Sequence, residues 1–146
     1  MSEKYEFFIA GRTRNKEEIL EVCKIFDSLD ISYYCFLKNE KSHSEAGLDI
    51  NENPEKLMQN FESMSLDNEA VRTIFEHDIE AEKMSKNFLL VLPAGKSAHI
   101  EAGIAYGLGK RCYAVGEYDV TDSLYLIFDK IFNNKKELTE FLKNIK

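Results

Sequence analysis

No apolar run in this 146-residue sequence approaches the roughly 20 residues needed to cross a bilayer, so a membrane-spanning helix is not expected. Positive charge is also short. The net charge of −7 argues against a nucleic-acid polymer or an anionic membrane as partner, since both require a basic surface. Metal-ligand spacing is missing. Cys23, Cys35 and Cys112 lie far apart without a CxxC pair, and His43, His77 and His99 show no ligand spacing with them or with one another. Three scattered cysteines read as reduced, buried thiols of a cytosolic protein. The opening MSEKYEFF lacks the apolar centre of a secretory signal, so a cytoplasmic location is expected. Internal repeats and low-complexity segments are absent as well. What remains is 44% hydrophobic and 12% aromatic, the make-up of one compact domain over residues 1–146.

The most informative stretch is NFLLVLPAGKSAHIEAGIAYGLGKRCYAVG, residues 87–116. Phe88–Leu92 is an unbroken apolar run, too short for a helix and ended by Pro93, which predicts a strand buried on both faces. Pro93, Ala94 and Gly95 form a turn, and Ser97 is placed to cap a following helix. Arg111–Val115 supplies the next strand. The result is a βαβ unit, and ligands of open α/β sheets sit at the loop beyond the carboxyl end of such a strand. On a helical wheel Ile100, Gly103, Ile104, Gly107 and Leu108 make one stripe, expected to face the sheet. Glu101 lies at its edge in the expected first turn. It comes one residue too late for a capping box with Ser97. Two readings stay open: a carboxylate favoured by the helix dipole, or one aimed into the cleft, kept ionised by that dipole and available as a nucleophile.

Earlier in the chain, Tyr5–Ala10 is the first strand, followed at once by Gly11, whose missing side chain allows a sharp bend or close approach to a ligand. Arg12 and Arg14 flank this turn, either solvated or gripping a phosphate or carboxylate. Asn15 is expected to cap a helix to Leu29, and Ser32–Leu37 to form the second strand. The polar segment Lys38–Asn53 has the length of a lid or binding loop. Pro54 opens a helix with Leu57, Met58 and Phe61 on one side. The next helix, about residues 68–86, offers Val71, Ile74, Phe75, Ile79 and Met84 to the core. It also carries Glu76, His77, Asp78, Glu80 and Glu82, most of which are expected to face water. Asp78 is the exception, near the buried edge and within reach of the same cleft as Glu101. Ser123–Phe128 is expected to be helical and Asp129–Phe132 to be a short fifth strand. Lys135–Ile145 closes the chain, with Leu138, Phe141, Leu142 and Ile145 inward. This order predicts an α/β, flavodoxin-like (Rossmann-like) parallel sheet of about five strands with helices on both faces.

Taken together, the first strand ending in IAG, a helix with FEHD, then NFLLVLP, GKSAHIEAGIAYGLGKR and YAVGE resemble the nucleoside 2-deoxyribosyltransferase-like superfamily. That group includes deoxyribosyltransferases and 2'-deoxynucleoside 5'-phosphate N-hydrolases. The resemblance implies that Glu101 is the nucleophile attacking the anomeric carbon and that Asp78 helps to position substrate and nucleophile. It implies substrate contacts at Gly11, Arg12 and Arg14, and a phosphate contact at Ser97 in the loop that begins at Gly95. Asn87 stands where the family often has aspartate. Lys96 and Ala98 stand where its loop has more glycine or threonine. The implied partner is a small nucleoside or nucleotide, in a homodimer or higher homo-oligomer.

The residue types suit that chemistry. Breaking an N-glycosidic bond passes through an oxocarbenium-like state that a carboxylate stabilises or traps, and no metal or organic cofactor is needed. Asp78 would protonate the leaving base if burial raised its pKa. Other readings are a TIR-like NAD glycohydrolase, a non-catalytic nucleotide-binding or sensing module, and a scaffold for another protein.

Overall fold

The computed structural model describes residues 3–39, 51–119 and 121–145. Five parallel strands form one sheet: β1 (Tyr5–Ala10), β2 (Tyr33–Cys35), β3 (Ser85–Val91), β4 (Arg111–Val115) and β5 (Phe128–Phe132). Their spatial order is β2-β1-β3-β4-β5, the flavodoxin-like arrangement. The chain runs from β1 to β2 on one side, and the connection from β2 then passes β1 to reach β3 on the other. The order therefore reverses between β1 and β3, and this switch point is where open α/β sheets leave a crevice.

The helices are α1 (Lys16–Ser28), α2 (Pro54–Glu62), α3 (Glu69–Lys83), α4 (Lys96–Gly107) and α5 (Lys135–Ile145). Alternation along the strands sorts the core into two layers. On one side Phe7, Ile9, Leu89, Val91, Tyr113 and Val115 meet α1 and α5 through Ile19, Val22, Phe26, Leu138 and Leu142. On the other side Phe8, Phe88, Leu90 and Ala114 meet Ala81 of α3 and Ala98, Ala102 and Ala105 of α4. Both faces of the sheet are covered, as the unbroken apolar runs of β1 and β3 require.

Several local expectations change. Strand β3 begins at Ser85, three residues ahead of Phe88, because it pairs with β1 from Tyr5 onward. Strand β2 stops at Cys35, and Phe36–Lys38 turns as a 3-10 helix. Ser123–Ile127 is likewise 3-10, capped by the Asp122 carboxylate on the Leu124 N–H. Phe75 is 55% exposed and Ile145 is 48% exposed, so neither belongs to the core. Most of the Lys38–Asn53 lid expectation, residues 40–50, lies outside the described residues. No helix among the described residues is long and apolar enough to cross a membrane.

Candidate active site

The loops after β1 and β3 meet at the switch point. Ala10 pairs with Leu90, which brings Gly11 beside the end of β3. A Cβ on Gly11 would come within 2.7 Å of the Ile19 side chain and 3.3 Å of the Val91 carbonyl, so only glycine fits without movement. A Cβ on Gly95 would lie 3.7 Å from the Arg12 Cβ, which puts the two loops in contact range. Asn15 precedes α1 as expected, yet its side chain makes no cap. It donates instead to the Pro93 carbonyl at 3.5 Å.

Helix α4 starts two residues earlier than the sequence reading. Its N-cap is Gly95, not Ser97, and no described side chain caps it. Ser97 is exposed within the first turn, where backbone N–H groups lack intrahelical acceptors. His99 Nδ1 lies 2.8 Å from the Gly95 carbonyl, which can only accept, so this nitrogen carries the proton. In the neutral ring Nε2 then accepts from the Tyr125 hydroxyl at 3.0 Å, and the two rings stack.

The face of α4 is also corrected. Ile100 is 56% exposed and Leu108 44% exposed, while Gly103 and Gly107 are exposed too. The buried line is Ala98, Ala102 and Ala105, at i, i+4 and i+7. Methyl side chains let the helix backbone approach the sheet closely, and the larger residues turn outward. This rotation leaves Glu101 one position from Ala102. With the helix beginning at Lys96, Glu101 falls in the second turn, beyond the reach of the dipole. The environment disfavours its ionised form. Burial first, then the charges of Asp78 and Glu82, push its carboxyl well above the ordinary range.

Asp78 on α3 and Glu101 on the adjoining α4 lie near enough for the charge of Asp78 to raise the Glu101 carboxyl. Asp78 accepts from the Tyr34 hydroxyl at 3.0 Å, and Asn39 donates to that same oxygen at 2.9 Å. The Tyr34 ring is fixed by stacking on Phe8, which stacks on Phe88. Burial raises Asp78 to about 6, opposed by the Tyr34 hydrogen bond and the neighbouring His77. A hollow of about 380 Å³ opens beside this network at the β2 edge, lined by Tyr34, Asn39, Tyr5 and Lys38 among others.

The third acid, Glu82, was expected in water and is instead 1% exposed. Glu76 and Glu80 do face solvent. Four residues separate Asp78 from Glu82, which places them on one face of α3. That spacing was the available signal for Glu82, masked by the surrounding charge run.

The remaining predicted residues spread out. Arg14 donates through Nε and Nη2 to Glu55 at 2.7 and 3.0 Å, and through Nη2 to Glu62 at 3.0 Å. Its guanidinium ties the turn Thr13–Asn15 to α2 and is already occupied by two carboxylates. Arg12 is exposed at the Gly95 loop. Asn87 is buried in β3, its amide donating to the Glu6 carbonyl at 3.0 Å, which is a strand contact. Among the described residues no group of three or more His, Cys, Asp or Glu side chains is arranged to hold a metal ion.

Two solved structures are similar over nearly the whole chain. One is a 2-deoxyribosyltransferase from Bacillus psychrosaccharolyticus, with a TM-score of 0.63 and 16% identity, covering 91% of this chain and 89% of that one. The other is the CMP N-glycosidase BcmB of Clostridium botulinum, with a TM-score of 0.50 and 18% identity, covering 94% and 97%. This chain shares their fold. It is the fold that the resemblance in the sequence implied. No protein-family model matches the sequence, and no curated protein matches it.

Proposed function

We propose that this protein cleaves or transfers at the N-glycosidic bond of a nucleoside or nucleotide, with Glu101 as the nucleophile and Asp78 as its acidic partner. The observation that carries the reading is that two desolvated carboxyls stand on adjoining helices over one face of the sheet, with the charge of Asp78 acting on Glu101. Similarity of fold to a deoxyribosyltransferase and a CMP N-glycosidase supports it. In the step proposed, a Glu101 oxygen bonds to the anomeric carbon as the carbon–nitrogen bond breaks. The electron pair leaves with the base, which takes a proton from Asp78, half protonated near pH 6. Water then releases the sugar, or a second base displaces Glu101 and the sugar is transferred.

Burial favours the neutral form of Glu101. The same low dielectric strengthens its attraction to a positive anomeric carbon as that charge develops. Arg12 beside Gly95, the Ser97 hydroxyl and the uncapped start of α4 provide a place for a 5'-phosphate. The outer side of α4, with Ile100 and Tyr106 more than half exposed, suits the pairing of two copies. Light scattering should then give at least twice the mass of one chain, and a monomer at high concentration would reject it.

Purified protein incubated with nucleosides and nucleoside monophosphates should release free base, measured by chromatography. Glu101→Gln should lower that rate by at least ~10³-fold. Equal rates in the two proteins would remove Glu101 from the reaction. The raised proton affinity of Glu101 also fits a second reading, a sensor whose neutral carboxyl hydrogen-bonds a nucleotide. Tight binding of intact nucleotide without base release by the wild-type protein would favour it.

A further inference from the structure

Glu82 has no role in the reaction as written, yet it is among the most completely buried side chains of the protein. It is 1% exposed, and neither carboxyl oxygen has a hydrogen-bond partner among the described residues. A buried, unpartnered carboxyl is costly, and folds do not ordinarily hold one without compensation. Its surroundings show what it faces. Asp78 lies one helical turn away on α3, and Glu101 lies on α4, which packs against α3. Lys110, before β4, is its only described cationic neighbour, and the lysine's ammonium is already engaged by the Lys83 carbonyl at 2.9 Å and Glu3 at 3.7 Å. Burial first, and then the charge of Glu82, raise the Cys112 thiol of β4 to about 12. Tyr34 of β2 meets the cluster through its hydrogen bond to Asp78, and the adjacent His77 acts on Asp78 through its charge.

We propose that Glu82 is a positioning residue that holds a proton beneath Asp78 and Glu101 and thereby sets the pH at which Glu101 becomes a carboxylate. Burial and the charge of Asp78 raise Glu82 to about 8, against a partial opposing effect of Lys110. Near neutral pH it is therefore mostly the uncharged acid, and Asp78 is mostly ionised. As Glu82 ionises, its charge opposes the ionisation of Glu101. The three carboxyls titrate as one coupled system rather than as independent acids. This inference rests on the glycosidic-bond reading for its meaning, but not for its test.

The test is carboxyl carbon NMR of the full chain labelled with ¹³C at Glu Cδ and Asp Cγ, titrated in the wild type, Glu82→Gln and Glu82→Leu. Loss of one signal in each of Glu82→Gln and Glu101→Gln assigns the two resonances. The Glu101 midpoint should move to lower pH in both Glu82 variants, by roughly one pH unit, the scale at which titrations become coupled. The acid limb of kcat/KM for base release should move the same way, with KM changed less. An unmoved Glu101 midpoint in either folded variant overturns the proposal. Should the wild-type protein release no base from any nucleoside or nucleotide, the glycosidic-bond reading falls, and the NMR titration still decides the role of Glu82. Gln keeps the shape and Leu removes the unpartnered polar atoms, so a folding defect in one leaves the other informative.

Discussion

The two faces of the sheet are built from different materials. Against α1 and α5 the layer is large and apolar, with Phe7, Phe26 and Tyr113 in contact, the rings of Phe7 and Phe26 centred 5.1 Å apart and edge-on. Against α3 and α4 the helices contribute alanines, and three carboxyls stand between them. Aromatic packing suits stability, because each ring removes much surface from water. Alanine packing gains less, but it draws a helix close to the sheet and leaves room beside it for acids. The difference teaches that one face holds the fold and the other bears the cost of a desolvated acidic site.

The sharpest break of that comparison is truncation on the apolar face. Phe26→Ala should destabilise by about 3–5 kcal/mol, read from the urea midpoint, with the remaining folded protein still competent in base release. Small-to-large change on the other face should cost less stability but reach the activity as well. Ala102→Leu should cost about 2–3 kcal/mol through overpacking, and it should also lower base release, because Glu101 is the next residue on the displaced helix. If Ala102→Leu leaves activity intact, close seating of α4 does not place the carboxyl. The smallest effect is expected from Tyr34→Phe. Loss of a hydrogen bond to a charged group should cost about 1.5 kcal/mol at pH 8 and about half of that at pH 3, where the carboxyl that accepts it is neutral.

The pH dependence follows from the same three acids. Asp78 and Glu82 hold protons more tightly folded than unfolded, so the folded protein binds more protons and stability falls as pH rises. The Asp78 contribution to that fall runs between its ordinary value of 3.8 and about 6, and the Glu82 contribution between 4.5 and about 8. Thermal midpoints should therefore decline across this window in the wild type and decline less in Glu82→Leu.

Strand β1 and strand β4 have the limits that the apolar runs predict, Tyr5–Ala10 and Arg111–Val115. Short runs bounded by glycine or proline permit little else. The half-buried position of Asp78 was legible three residues after Phe75, although Phe75 itself faces solvent. The seating of α4 was not legible. Nearly every residue from Ala98 to Ala105 is apolar or small, so the helical wheel offers several stripes of similar merit. Size decides among them, and the sheet against which size is judged exists only after folding. Glu82 was hidden for a related reason: a glutamate amid glutamates reads as solvated until the neighbouring helix covers it.

What the amino-acid order determined by itself is the succession of strands and helices, because periodicity and turn chemistry act between near neighbours in the chain. Only the packed structure decided which side of α4 meets the sheet, where Arg14 spends its charge, and how strongly Glu101 holds its proton. Each of those depends on groups far apart in sequence that share a water-poor space, where a neighbouring charge counts for far more than it does in solvent.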